Sequence, residues 1–228
     1  ALAADTLLYR FRQARESVAA GSENPITLRL GLSGTEEAAL WVLTAIAVSE
    51  RARRLAHALG NDKSGAPSTS GLSELIGAPS VASYTVLSPE RCLRRLVLIE
   101  RSDGGGAEAH ESRWTWAVSR RVLAFLHGDT SIDPALAGIA HIADDVKPID
   151  QLAASEQVVA SVRDAMKGGK VTVCLSAAPG RRRPRHRAAA AREAVLEVIE
   201  VEDRKLAKEP GALRKQLKMI ARECKLLA

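Results

Sequence analysis

Two features that often define the class of a protein are missing from this sequence. Its 228 residues include only three cysteines, Cys92, Cys174 and Cys224, which lie far apart. An odd number of widely spaced cysteines predicts neither a disulfide framework nor a zinc site built from paired cysteines. No uninterrupted apolar run approaches the roughly 20 residues that span a bilayer. We therefore expect a protein of a reducing compartment, the cytoplasm, that does not enter a membrane.

Side chains for catalysis or metal binding are few and scattered. The five histidines include no pair at i, i+4 spacing and none near a cysteine, so we expect no metal site. Asp144 and Asp145 adjoin each other in a predicted loop, where solvation explains a carboxylate pair better than acid–base chemistry does. No serine lies in a nucleophile elbow. The sequence therefore predicts no catalytic residue.

Positive charge, by contrast, is concentrated in the last fifth of the chain. The sequence has 33 Lys and Arg against 27 Asp and Glu, a formal net charge of +6 at pH 7. Residues 181–228 hold 14 of these basic residues and 7 of the acidic ones, so the rest of the chain is close to neutral. A general coat for nucleic acid would spread its charge more widely. A solvated, arginine-rich face is the simpler interpretation.

Several short helices are indicated in the first 130 residues. Ser33 and Glu36 have capping-box spacing ahead of an apolar run. Ser88 before Pro89 combines a cap oxygen with a favourable first helical residue, and Ser119 is a further cap. The predicted helices cover 5–20, 35–48, 50–59, 72–76, 89–95 and 120–127.

Two strands are predicted between the last two of these helices. They are expected at 96–100 and 113–118, joined by a glycine-rich connection. Period-two alternation places Trp114 and Trp116 on one face of this ribbon. Three helices followed by a two-stranded ribbon is the element order of a winged helix. We therefore expect residues 1–150 to form a mainly α, winged-helix-like domain, with the ribbon packed on the helices.

A different pattern occupies residues 151–228. Helix, strand, loop, helix, strand and helix follow one another, which is the start of an α/β domain with a parallel sheet. The strands are expected at 170–176 and 195–201. In the last helix, one apolar face is expected to be shared by Leu213, Leu217, Ile220, Ala221 and Cys224. The fold class predicted for the whole chain is therefore mixed, with the first part of a P-loop-type domain at its end.

The loop after the strand at 170–176 is the candidate binding site. Phosphate-binding loops in this position surround the anion with backbone N–H groups and a helix N-terminus. Residues 177–184, AAPGRRRP, match the P-loop pattern Gly-x-x-x-x-Gly-Lys-Ser/Thr in position and length, though not in composition. Gly180, Arg181, Arg182 and Arg183 are the candidate cofactor-binding residues of this degenerate phosphate loop.

The substitutions in this loop predict weak binding at most. Arg182 puts a long side chain where a glycine would let the backbone approach phosphate. Arg183 keeps positive charge but not the compact ammonium group of lysine. Pro184 has neither the hydroxyl that would bind Mg²⁺ nor a backbone N–H. An arginine-rich turn without any ligand is the alternative interpretation.

Read as a whole, the chain resembles the N-terminal part of a group of large prokaryotic AAA+ ATP-binding proteins with a variant winged-helix region. The resemblance lies in the order of several short stretches. They are LSGTEE at 32–37, LAHAL at 55–59, SRRVLAFLHG at 119–128, IDP at 132–134, VTVCLSAAPGRRR at 171–183, LEVIEV at 196–201 and IARECKLL at 220–227.

The resemblance implies a recognition or scaffolding region joined to a degenerate first ATPase module. ATP and Mg²⁺ are then expected only in a competent module elsewhere in the family, because no Walker B strand follows in this chain. The implied partners are other subunits of an AAA+ oligomer or a protein client. Whether this chain is part of an enzyme stays open, but it is not expected to hydrolyse ATP alone.

Nucleic-acid binding is the competing function. The third helix of a winged helix can enter a groove of DNA, and here it would present Arg91, Arg94 and Arg95. Acidic residues surround them, and an acidic wing is unfavourable beside phosphate. These residues are Glu90, Glu100, Asp103, Glu108 and Glu111. Protein recognition is therefore the preferred interpretation.

Overall fold

The computed structural model describes residues 25–60, 65–77, 84–102, 110–143 and 198–227, with single positions at 157, 160 and 164. The chain divides into two compact units. The first comprises Ala1–Ser131 and Leu217–Leu226, and the second comprises Ile132–Gln216 and Leu227–Ala228. The expected domain boundary at residue 150 lies outside the described residues and stays a prediction.

The first unit is helical with one small ribbon. Its helices are α1 (Pro25–Leu30), α2 (Gly34–Val48), α3 (Glu50–Gly60), α4 (Thr69–Ile76), α5 (Cys92–Arg95) and α6 (Arg120–Leu126). Its strands are β1 (Ile99–Arg101) and β2 (Trp116–Val118), and a 3₁₀ turn, Glu111–Arg113, precedes β2.

Local capping explains where α2, α4 and α6 begin. The Ser33 hydroxyl accepts the N–H of Glu36, and the Glu36 carboxylate accepts the N–H of Ser33 at 2.9 Å, which confirms the capping box. Ser119 caps α6 as predicted. Helix α4 begins three residues earlier than expected, because Ser68 accepts the N–H of Gly71 at 3.1 Å and caps the helix there.

The prediction of a helix beginning at Pro89 was wrong. Residues 88–91 form a turn, and α5 begins only at Cys92. Arg91 occupies the cap position and makes no side-chain cap hydrogen bond. The cap comes from another element, since the carboxylate of Glu36 in α2 accepts the N–H of Cys92 at 2.8 Å.

The predicted pairing of the two strands is confirmed. β1 and β2 are antiparallel, with Ile99 opposite Val118 and Arg101 opposite Trp116. A third extended segment, absent from the sequence-based prediction, joins the other side of β2 through an isolated bridge between Ser68 and Thr115. The N–H of Trp116 donates to the Pro67 carbonyl at 3.1 Å, which ties the start of α4 to the ribbon.

One apolar core joins these elements. Leu40 and Leu43 of α2, Leu72 of α4 and Leu98 before β1 are almost completely buried, and Val122 of α6 completes the same cluster. The ribbon is too short to be stable alone. Its buried face therefore takes its stability from the helices, as the sequence predicted.

The second unit contains a separate two-stranded sheet. β3 (Ala140–Ile142) pairs antiparallel with β4 (Ile199–Val201), and His141 lies opposite Glu200. The strand expected at 195–201 thus forms at its end, but its partner here is antiparallel. The expected parallel partner, 170–176, lies outside the described residues. The fold is mixed, and the parallel sheet stays a prediction.

The last helix, α7, covers Pro210–Leu226 and buries a face different from the predicted one. Its buried side chains are Met219, Arg222, Glu223 and Leu226, whereas Leu217 is half exposed. The prediction considered apolar residues only. It could not indicate the buried face, because a charged pair, Arg222 and Glu223, takes part in it.

Candidate functional site

The predicted phosphate loop lies outside the described residues. Gly180, Arg181, Arg182 and Arg183 therefore have no geometry to report, and their role stays a prediction. The same holds for the carboxylate pair at 144–145. The structure does describe the arginines of the predicted third helix and the two tryptophans of the ribbon, and it brings them together.

An arginine–tryptophan cluster forms where α5 meets the ribbon. The rings of Trp114 and Trp116 meet edge to face, with centroids 6.2 Å apart and planes at 64°. The guanidinium carbon of Arg94 lies 5.3 Å from the centroid of Trp116 and 5.8 Å from that of Trp114. Arg101 of β1 lies closer, 4.4 Å from the Trp114 centroid. These are cation–π distances, at which the negative ring face attracts the cation.

Hydrogen bonds from three elements hold the cluster in place. Trp116 donates its indole N–H to the Thr69 hydroxyl at 3.0 Å, and Thr69 donates to the carbonyl of Glu111 at 2.8 Å. Arg94 donates to the Leu87 carbonyl at 3.0 Å. The start of α4, the 3₁₀ turn and the segment before α5 thus fix the rings and one guanidinium. The shared side of the tryptophans is confirmed.

Electrostatics distinguish Arg94 from an ordinary surface arginine. Burial lowers the pKa of the Arg94 guanidinium, Glu111 opposes this shift, and the nearby charge of Arg101 adds to it. Arginine remains protonated despite such a shift. The cluster therefore keeps two positive charges close together beside aromatic rings. Guanidinium groups of this kind bind carboxylates and phosphates. The arrangement therefore suits the binding of an anionic group, and the cluster itself contains no pair of side chains for acid–base catalysis.

The arginines proposed to read DNA have different surroundings. Arg94 is half-buried in the cluster, and Arg95 donates to the sulfur of Cys92 at 3.1 Å. Arg91 is exposed at the cap of α5. Because α5 is a single turn, it offers a short edge rather than an extended helix face to a groove.

A buried ion cluster was missed by sequence reasoning. The Glu223 carboxylate accepts from Arg121 Nε at 2.8 Å and from Arg222 Nε at 3.0 Å, and all three side chains are almost fully buried. Arg121 also donates to the Asp129 carbonyl at 2.9 Å. A sequence signal existed, because Glu223 lies among apolar positions near the end of α7. Nothing local pointed to Arg121 as its partner.

Some other kinds of site are not found in the described part of the chain. Its histidines, cysteines and acidic residues include no group of three or more that could hold a metal ion. None of its helices has the length and apolar character needed to cross a bilayer.

Comparison with known proteins adds no assignment. A scan against protein-family models gives no match, and searches of curated proteins and solved structures give none either. Functional inference therefore rests on the sequence motifs and on the geometry above.

Proposed function

We propose that the first unit is a winged-helix-type module for recognising a protein partner, in a protein of the AAA+ type. The observation that carries this proposal is the bridge between Ser68 and Thr115. With this bridge counted as a short strand, the order of elements along the chain is a strand before α4, α4 itself, a further helical segment that ends in α5, and then the ribbon. In winged helices, too, a strand ahead of the second helix pairs with the returning strand of the ribbon.

Protein recognition is favoured over DNA binding by the charges around α5. Three glutamates there are exposed. Glu90 precedes Arg91, Glu100 precedes Arg101, and the charge of Glu111 acts on the half-buried Arg94. Carboxylates repel the phosphates that supply most of the affinity for DNA. A protein surface with its own acidic and aromatic side chains is compatible with both the arginines and the tryptophans.

The AAA+ part of the proposal rests on the order of the sequence motifs. In that interpretation residues 151–228 begin a degenerate P-loop domain with a parallel sheet, and the protein acts in the cytoplasm. Nucleotide and Mg²⁺ would bind in a competent module elsewhere in the family. The partners would be other subunits of the oligomer or a protein client.

A peptide selection tests the recognition function directly. A displayed random-peptide library is selected on the immobilised chain and counter-selected on the Arg101→Ala, Trp114→Ala double variant. We expect enriched peptides that carry carboxylates and lose binding to the variant. A Lys215→Met variant, which also loses a positive charge but at an exposed position of α7, is the control and keeps binding.

A second experiment tests the alternative function, DNA binding. Fluorescence anisotropy with labelled random-sequence duplex DNA is measured at low and at physiological salt. We expect that the chain does not show the duplex binding that is strong at low salt and weak at physiological salt. Salt-dependent duplex binding that is lost in Arg91→Ala, Arg95→Ala would replace protein recognition with DNA binding.

A further inference from the structure

Val97, between α5 and β1, has an unusual backbone. Its φ is +51°, and within the described residues no other non-glycine residue has a positive φ. A left-handed backbone brings Cβ close to the following carbonyl oxygen, and a β-branched side chain makes this worse. Such a conformation persists only when the surrounding structure determines it.

The hydrogen bonds around Val97 form a Schellman helix ending. The N–H of Leu98 donates to the Leu93 carbonyl at 2.8 Å, and the N–H of Val97 donates to the Arg94 carbonyl at 3.3 Å. Glycine usually occupies the left-handed position of this motif. Leu93 and Leu98 are fully buried, which supplies the apolar contact that accompanies it. Here the motif forms with valine at the strained position.

A residue of the distant helix α7 holds the Val97 carbonyl. Arg222 Nη1 donates to this oxygen at 3.1 Å. Arg222 also donates to Glu223, whose second carboxylate oxygen accepts from Arg121 of α6. The strained junction is thus joined through a buried ion cluster to both α6 and α7.

The buried ion cluster is expected to be either fully formed or fully broken, rather than partly formed. Two guanidinium groups share one carboxylate. Arg121 Nη2 is buried, and no described residue accepts a hydrogen bond from it. Removing one member of a buried ionic cluster leaves uncompensated charge, so its members are expected to come apart together. A further polar contact holds the C-terminal end of α7, where Arg29 donates to the Leu226 carbonyl at 3.0 Å.

We propose that residues 217–226 of α7 are a clasp that sets the conformation of the α5–β1 junction. With the clasp bound, Val97 stays left-handed and α5 holds Arg94 against Trp116. With the clasp released, Val97 takes an ordinary backbone conformation and α5 turns relative to the ribbon. The coupling stands on the geometry alone, whereas its use in regulating partner binding rests on the proposed function.

Native-state amide exchange on the full chain tests the coupling. Arg222→Met removes the donor to Val97 and keeps the apolar part of the side chain. We expect exchange of the Leu98 amide to accelerate by about tenfold or more, with a smaller change at buried amides of α2. Tryptophan emission should shift, because Arg94 moves away from the rings. The control variant is Lys215→Met, at an exposed position of the same helix outside the clasp, which should leave both signals unchanged.

A second variant keeps the test decisive if Arg222→Met is too unstable. Val97→Gly lets the backbone stay left-handed without help. In this background, the Arg222→Met effect on Leu98 exchange should largely disappear, and Arg222→Lys gives a milder replacement where needed. Additive effects of the two changes, or a uniform rise in exchange throughout α2, α4 and β2, would overturn the coupling. Peptide binding by the unaltered chain would still test the proposed function separately.

Discussion

The carboxylate of Glu36 caps the first turn of α5 by accepting the N–H of Cys92 at 2.8 Å, although the two residues are 56 positions apart. Its other oxygen accepts the N–H of Ser33 at 2.9 Å and the Ser33 hydroxyl at 2.8 Å. Glu36 is only 3% exposed. One buried side chain therefore fixes the start of both α2 and α5.

Replacing Glu36 should destabilise the first unit strongly. Glu36→Ala removes a buried carboxylate and leaves the N–H groups of Ser33 and Cys92 without this charged acceptor. We expect a loss of about 3 kcal/mol in the free energy of unfolding. Glu36→Gln keeps the shape and should lose less. Urea denaturation measures both values. The control is Glu50→Ala in the exposed pairs with Arg53 and Arg54, which should cost about 1 kcal/mol or less. Equal losses at the two positions would contradict the capping role.

The buried ion cluster should be far more sensitive than a surface pair. Glu223→Ala leaves Arg121 and Arg222 buried without a counter-charge, and we expect it to cost about 3–5 kcal/mol. Glu202, in an exposed pair with Lys205, is the comparison, with an expected cost of about 1 kcal/mol or less for its change to Ala. Thermal or urea unfolding measures both. A Glu223→Ala chain as stable as Glu202→Ala would show that the cluster contributes little.

At Val97, glycine should be more stabilising than alanine. Both replacements remove the branched side chain, but only glycine removes the Cβ that makes a left-handed backbone costly, so we expect Val97→Gly to exceed Val97→Ala by about 1 kcal/mol in unfolding free energy. Val118, within β2, should show the opposite order, because glycine weakens a strand. The same denaturation experiment on four variants checks this. If Val97→Ala is as stable as Val97→Gly, or more stable, the backbone at position 97 is not strained.

Asp129 should make stability depend on acid pH. Hydrogen bonds from the Ser131 hydroxyl and N–H hold the pKa of the Asp129 carboxyl below its ordinary value. A group with a lowered folded-state pKa stabilises the fold above its unfolded pKa, near 4, and this contribution is lost as pH falls through the folded value. Ser131→Ala should therefore be less stable than the unaltered chain at neutral pH, with a difference that disappears in acid.

Denaturation from neutral to acid pH, with an NMR titration of the Asp129 carboxyl, measures this effect. Ser102→Ala removes a hydroxyl that donates to another hydroxyl, on Thr115, and provides the control. Its effect should not change across the same pH range. A Ser131→Ala effect that also stays constant with pH would contradict the role of Asp129.

The candidate site was predictable only in part. Alternation along one strand is a local signal, so it placed Trp114 and Trp116 together correctly. The cation–π contacts join α5, β1 and the segment before β2, and no spacing within one element could indicate them. The arginine loop at 180–183 lies outside the described residues, so its phosphate binding stays a prediction.

The sequence by itself determined the features that depend on neighbours within a few residues. The caps at Ser33 and Ser119 are of this kind, because the atoms that interact lie three residues apart along the chain. The ribbon was predictable for a related reason, since its two strands are consecutive strands in the described order of elements. Tertiary structure decided the start of α5, the bridge at Ser68, the left-handed Val97 and the buried face of α7. In each of these the deciding partner is a distant residue, and a buried polar group takes whichever partner the folded chain brings within hydrogen-bond distance.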